Sequence, residues 1–110
     1  MNISEQILTE AYALIERGWV QGWDARNRYG KMVQALTPDA CAWCLTGALT
    51  KAATHLHLRE EDRQRAYELV AAALPTGESR FVVVFNDSPG RTKEQVLAVL
   101  DDAIELAKQA

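Results

Sequence analysis

The sequence predicts a mainly α-helical fold, a compact bundle of about four helices to which a short two-stranded β ribbon can be added. Three observations predict it. Apolar residues near both ends of the chain recur at helical spacing. Polar residues stand at cap positions in front of those runs. Only one run, FVVVF at Phe81 to Phe85, has the β-branched and aromatic composition of a strand.

The first helix carries Ile3, Ile7, Leu8, Ala11, Leu14 and Ile15 on one face, with Asn2 as cap and Glu5 as its reciprocal partner. Gly18 is expected to end it with a left-handed residue. The glycine-rich segment GWVQGWDARNRYGK breaks helical continuity and has room for a short strand near Trp19 to Trp23. Thr37-Pro38-Asp39 reads as a helix start leading through DACAWCLTGALTKAATHL. In that helix Ala40, Cys44, Ala48 and Ala52 form a ridge of small side chains for close packing. Gly47, one turn after Trp43, leaves room for the indole, and this helix is expected to be the central, most buried one. A third helix is expected from about Arg59 to Leu74, with Ala66, Leu69, Val70 and Ala73 inward, ended by Pro75 and Gly77. FVVVF is expected to be a strand pairing with the piece around Trp19. Thr92 and Gln95 form a capping box for the last helix, whose stripe is Val96, Leu100, Ala103, Ile104 and Ala107.

The 110 residues suit one domain spanning 1–110, with no linker or repeat. About half are apolar and a quarter charged, an ordinary globular balance. A net charge of −3 argues against broad binding to a phosphate backbone. MNISEQ has no basic cluster of a secretory signal, and the charge-free stretch Ala40 to Thr50 is too short to cross a bilayer. A soluble, cytoplasmic protein with reduced thiols is expected.

The densest polar motif is FNDSPGRT, Phe85 to Thr92. Asn86 and Asp87 are turn formers, Pro89-Gly90 suits the centre of a type II turn, and Thr92 caps the last helix. The functional reading gives Arg91 an anionic or carbonyl group to hold, with Asn86 orienting it. Cys41 and Cys44, with His55 and His57 beyond them, invite a zinc reading. Zinc and thioredoxin-type redox chemistry are both disfavoured, because the Cys-x-x-Cys pair reads as the interior of an apolar helix. Arg26, Arg28 and Lys31 stand among Trp19, Trp23 and Tyr29, a pattern that stacks on nucleic acid, although no recognisable reader motif accompanies it.

Three motifs in combination resemble a family of small uncharacterised bacterial and phage proteins. They are Gly18-Trp19-x-Gln21-Gly22; then Trp43-Cys44 followed by Gly47-Ala48-Leu49; then Phe85-Asn86-Asp87-x-Pro89-Gly90-Arg91-Thr92. The family often has Trp where this chain has Phe85, and its pattern includes Cys44 but not Cys41. The resemblance implies kinship over most of the chain and no particular activity. The motifs also suggest that the three segments converge, with Asn86 and Asp87 bonding to the backbone of the Gly-Trp segment and holding it beside the central helix.

The function expected is binding: an interaction module for an unknown protein or a small anionic ligand, able to form a homo-oligomer through apolar helix faces. The site residues expected are Asn86, Asp87 and Arg91, with Trp19 and Trp43 as walls. The alternatives are a small hydrolase-like enzyme using Asp87 or Cys44, and nucleic-acid binding through Arg26, Arg28 and Lys31. No catalytic residue, metal ligand, cofactor or membrane contact is assigned.

Overall fold

The computed structural model describes residues 1–77 and 81–109. Helix α1 spans Ile3–Arg17 and buries Ile7, Leu8, Ala11, Leu14 and Ile15. Its capping box forms as the sequence predicts: Glu5 N–H donates to Asn2 Oδ1 at 2.9 Å, and Asn2 N–H to Glu5 Oε1 at 3.2 Å. The Asn2 amide also donates to the Ala107 carbonyl at 2.9 Å, and Lys93 Nζ to the Glu16 carbonyl at 3.0 Å. These two bonds join opposite ends of α1 and α5 (Lys93–Lys108), so the two helices run antiparallel. The second capping box is also present: Gln95 N–H donates to Thr92 Oγ1 at 3.2 Å, and Thr92 N–H to Gln95 Oε1 at 3.0 Å. Helix α5 buries Val96, Val99, Leu100, Ala103 and Ala107, while Ile104 is half-buried.

Gly18 ends α1 for a reason other than the one expected. Its φ is −174°, extended backbone open to any residue. What demands glycine is proximity: a Cβ there would lie 2.5 Å from the Cys41 carbonyl oxygen. The chain leaves α1 hard against the segment that precedes the next helix, and Trp43 N–H donates to the Gly18 carbonyl at 3.0 Å.

The ribbon is a three-stranded antiparallel sheet in the order β2-β1-β3, with β1 at Ala25–Asn27, β2 at Met32–Val33 and β3 at Ala40–Trp43. The strand expected near Trp19 to Trp23 begins later, and Trp19 itself makes only an isolated parallel bridge to Trp43. Ala25 is the buried centre, opposite Val33 on one side and Trp43 on the other.

The expected helix start at Thr37 is instead a turn, closed by Ala40 N–H to the Thr37 carbonyl at 3.0 Å. Residues 40–43 then pair on both edges, with β1 and with Trp19, and these long-range partners outweigh the local helix signal. Helix α2 begins only at Leu45 and runs to His55, capped by Cys44, whose Sγ accepts from Gly47 N–H at 3.3 Å. The ridge of small residues is thereby cut to Ala48 and Ala52. The space beside Gly47 holds the Asp24 carbonyl, not the Trp43 indole. Helix α2 has the largest buried share, including Leu45, Ala48, Leu49 and Ala52, whereas α1 is the hub that packs against α2, α5 and α3 (Glu60–Ala72). Helix α3 turns Asp62, Ala66 and Val70 inward. Asp62 accepts from Arg59 N–H at 3.0 Å at the start of that helix.

FVVVF is not a strand. Helix α4 spans Val82–Asp87 and buries Val82, Phe85 and Asn86. Those positions are related as i, i+3 and i+4, one face of a helix. A strand would alternate Phe85 with Asn86 and send them to opposite sides; the helix sends both into the protein. Ser88 Oγ donates back to the Val84 carbonyl at 2.7 Å. Ser88 to Arg91 then form the expected turn: Arg91 N–H donates to the Ser88 carbonyl at 3.0 Å, with Gly90 at φ +81° in its third position.

Candidate functional site

Three distant segments meet at Asn86, as the motif pattern suggests. Asn86 is 1% exposed and makes four side-chain hydrogen bonds. Its Oδ1 accepts from Trp19 Nε1 at 2.8 Å and from Leu45 N–H, in the first turn of α2, at 3.1 Å. Its Nδ2 donates to the Val20 carbonyl at 3.1 Å and to Asp87 Oδ1 at 2.9 Å. Asp87 Oδ1 also accepts from Gly22 N–H at 3.0 Å. Gln21 completes the seam, its amide donating to the Asn86 carbonyl at 3.0 Å and the Ser88 carbonyl at 2.9 Å. An amide is the fitting side chain here, since only a group with both acceptor and donor ends satisfies two N–H groups and a carbonyl at once.

Arg91 serves the same corner. Its Nε donates to the Phe85 carbonyl at 2.8 Å, and its guanidinium lies 3.8 Å from the centre of the Phe85 ring. Trp43 is 3% exposed and donates Nε1 to the Ala35 carbonyl at 3.1 Å; it is core rather than the wall expected. The most exposed of the three tryptophans is Trp23, 49% exposed.

Trp23 separates two depressions. A cleft of about 180 Å³ is bordered by Trp23, Asp24, Cys44, Thr46, Val83 and Asp87. A wider trough of about 340 Å³ runs on the other side of Trp23, along Gln34, Leu36 and Thr50. Asp24 and Asp87 are the charged residues of the cleft; among the described residues no lysine, arginine or histidine borders either depression. At the edge of the cleft Val83 is 50% exposed, and Val84 beside it 51%, on the outer side of α4 next to the more exposed Phe81. Sequence reasoning missed this surface. Its signal is a helix with apolar residues on both its inner and outer faces.

Cys44 borders the cleft with its Sγ 3.2 Å from Thr46 Oγ1. The Cys-x-x-Cys pair lies at a strand-to-helix junction, not inside a helix as expected. Cys41 is exposed on β3 and Cys44 caps α2. Three steps of extended chain put their Cα atoms about 10 Å apart, beyond disulfide reach without backbone movement. His55 ends α2 opposite Cys44, roughly 16 Å along an 11-residue helix, so the suggested zinc set does not converge.

The displaced ionisations belong to other surfaces. The Asp101 carboxylate holds the Tyr12 phenol above its usual range. A hydrogen bond from Arg63 holds Glu60 low, and one to Glu105 holds Lys108 high. Arg26, Arg28 and Lys31 sit on or beside the β1–β2 hairpin. There Arg26 Nη1 donates to the Gly30 carbonyl at 2.9 Å, and Arg28 lies over the Tyr29 ring at 4.9 Å. No described helix is long and apolar enough to cross a membrane.

No curated protein and no solved structure matches the chain. A family model does match, over residues 3–106, which takes in all three segments that meet at Asn86. The chain belongs to the family of unknown function DUF6197.

Proposed function

We propose that this protein is an interaction module that binds a peptide segment of a partner protein across Trp23, and that the corner built by Asn86 and Arg91 is the scaffold beneath that surface, with the Asp87 carboxylate alone of that corner facing the ligand. The observation that carries this reading is the exposed apolar surface of Trp23 and Val83 bordering the cleft, with Val84 exposed next to Val83 on α4. Val83 and Val84 leave about half of their surface uncovered on the outside of a six-residue helix, and exposed apolar patches mark interaction sites. The charge pattern commits the occupant. With Asp24 bordering both depressions and Asp87 the cleft, a segment bearing a lysine or arginine beside an apolar residue is complementary, and its cation can rest on the Trp23 ring. An anionic ligand meets two carboxylates here. The free thiols suit a reducing compartment, so the partner is taken to be intracellular.

The test pans a random-peptide display library against the folded protein and against Trp23→Ala and Asp24→Asn. Neither side chain belongs to the hydrogen-bonded corner, so both variants are expected to melt within about 1 kcal/mol of wild type. The peptides selected should pair a basic with an apolar residue. They should lose at least tenfold in affinity on Trp23→Ala and a few-fold on Asp24→Asn. Failure to enrich any sequence, or selected peptides indifferent to both substitutions, contradicts the proposal.

A further inference from the structure

A separate cavity of about 270 Å³ lies between α1, the end of β3 and α2, away from Trp23. Its polar wall comes from Glu10 and Arg17 on α1 and from Lys51 and His55 on α2. Glu10 and Arg17 are seven residues apart, and Lys51 and His55 four apart, spacings that put each pair on one helix face. The floor is apolar, made by Leu14, Pro38, Ala40 and Trp43. Trp43 has spent its Nε1 donor on Ala35 and is 3% exposed, so it closes the floor from beneath and offers no polar contact.

The charge here is unusual for this protein. The chain carries −3 overall, yet two permanent cations and a histidine face one carboxylate around this cavity. The ion pairs formed among the described residues lie on α3 and α5, and none includes Arg17 or Lys51. Arg17 and His55 stand in the last turns of their helices, where the macrodipole accounts for a basic residue. Lys51 is in mid-helix and half-buried, and the dipole does not account for it. A lysine whose stem is partly covered at a cavity wall, and whose ammonium has no internal partner among the described residues, is suited to an external anion.

We propose that this cavity binds a small organic anion, a single-ring carboxylate or phosphate monoester. Lys51 and Arg17 hold the charged group, and the ring rests on Pro38 and Ala40, above the buried Trp43 and Leu14. The volume accommodates one ring and its charged substituent. This site is independent of the peptide surface at Trp23, and either can fail without the other.

The test titrates the isotope-labelled full chain with phenyl phosphate, benzoate, inorganic phosphate and benzyl alcohol, following backbone amide resonances. Saturable shifts are expected at Arg17, Lys51 and His55 with phenyl phosphate or benzoate, and the stronger of the two identifies the charged group. Inorganic phosphate and benzyl alcohol should each bind at least tenfold more weakly, because each lacks half of the contact. Lys51→Met keeps the aliphatic stem and should weaken the aryl anion at least tenfold; Arg17→Gln should do so by a smaller factor. The proposal is overturned by an absence of saturation at millimolar concentration, by equal binding of benzyl alcohol or inorganic phosphate, or by affinity unchanged in both variants. Shifts centred on Trp23 and Val83 instead would also overturn it, by placing the anion on the other surface.

Discussion

Asn86→Ala is expected to lower the free energy of unfolding by about 3–4 kcal/mol, the largest loss for any single polar side chain here. The substitution leaves the Trp19 indole N–H and the Leu45 N–H without an acceptor, and the Val20 carbonyl without a donor. Each group stranded in a buried position costs about 1–3 kcal/mol. Water entering from the cleft, which Asn86 also borders, recovers part of that and keeps the sum below the simple total. In a domain of this size the melting temperature should fall by roughly 12 °C or more. Urea unfolding checks the magnitude. A loss under about 1 kcal/mol would mean that the corner does not hold the Gly-Trp segment in place.

Gly47→Ala is expected to cost about 2–3 kcal/mol, against the intrinsic preference of helices for alanine. The added Cβ runs into the Asp24 carbonyl oxygen, with the Asp24 carbonyl carbon 3.1 Å away. These are backbone atoms in the turn that leads into β1, and the same oxygen accepts from Cys44 N–H at 3.1 Å. Relief therefore requires α2 to move from the sheet or the Cys44 bond to break. Thermal melts give the loss, and a displaced Cys44 amide resonance would locate it. A variant as stable as the parent, with alanine's helix propensity expressed in full, would contradict the close approach.

The features legible in the sequence were those decided within a few residues. Asn2–Glu5 and Thr92–Gln95 are caps closed over three residues, and Pro89-Gly90 sets its own turn. The features misread were decided by distant partners. Ala40–Trp43 carries a helix-start signal at Thr37-Pro38-Asp39, yet it pairs with β1 and Trp19, and no local pattern announces either. FVVVF has strand composition, but Phe85 and Asn86 must both face inward, and only a helix places neighbours that way. The corner around Asn86 was legible because three unusual motifs shared one explanation. The exposed surface was not, because Gly18-Trp19 and Gly22-Trp23 look alike in sequence. Trp19 is fixed by its bridge to Trp43 and its bond to Asn86, whereas Trp23 follows the turn at Gly22 and emerges beside α4. Reading 82–87 as a helix would have exposed the clue, since Val83 and Val84 then have no core to enter.

Hydrogen exchange at the three indole N–H groups tests the central claim, that Asn86 grips Trp19 and thereby fixes the floor of the binding face. Trp19 and Trp43 should exchange slowly, through opening of the fold, while Trp23, half exposed, exchanges at nearly the rate of a free indole. A Trp19 indole that exchanges as fast as that of Trp23 would contradict the account.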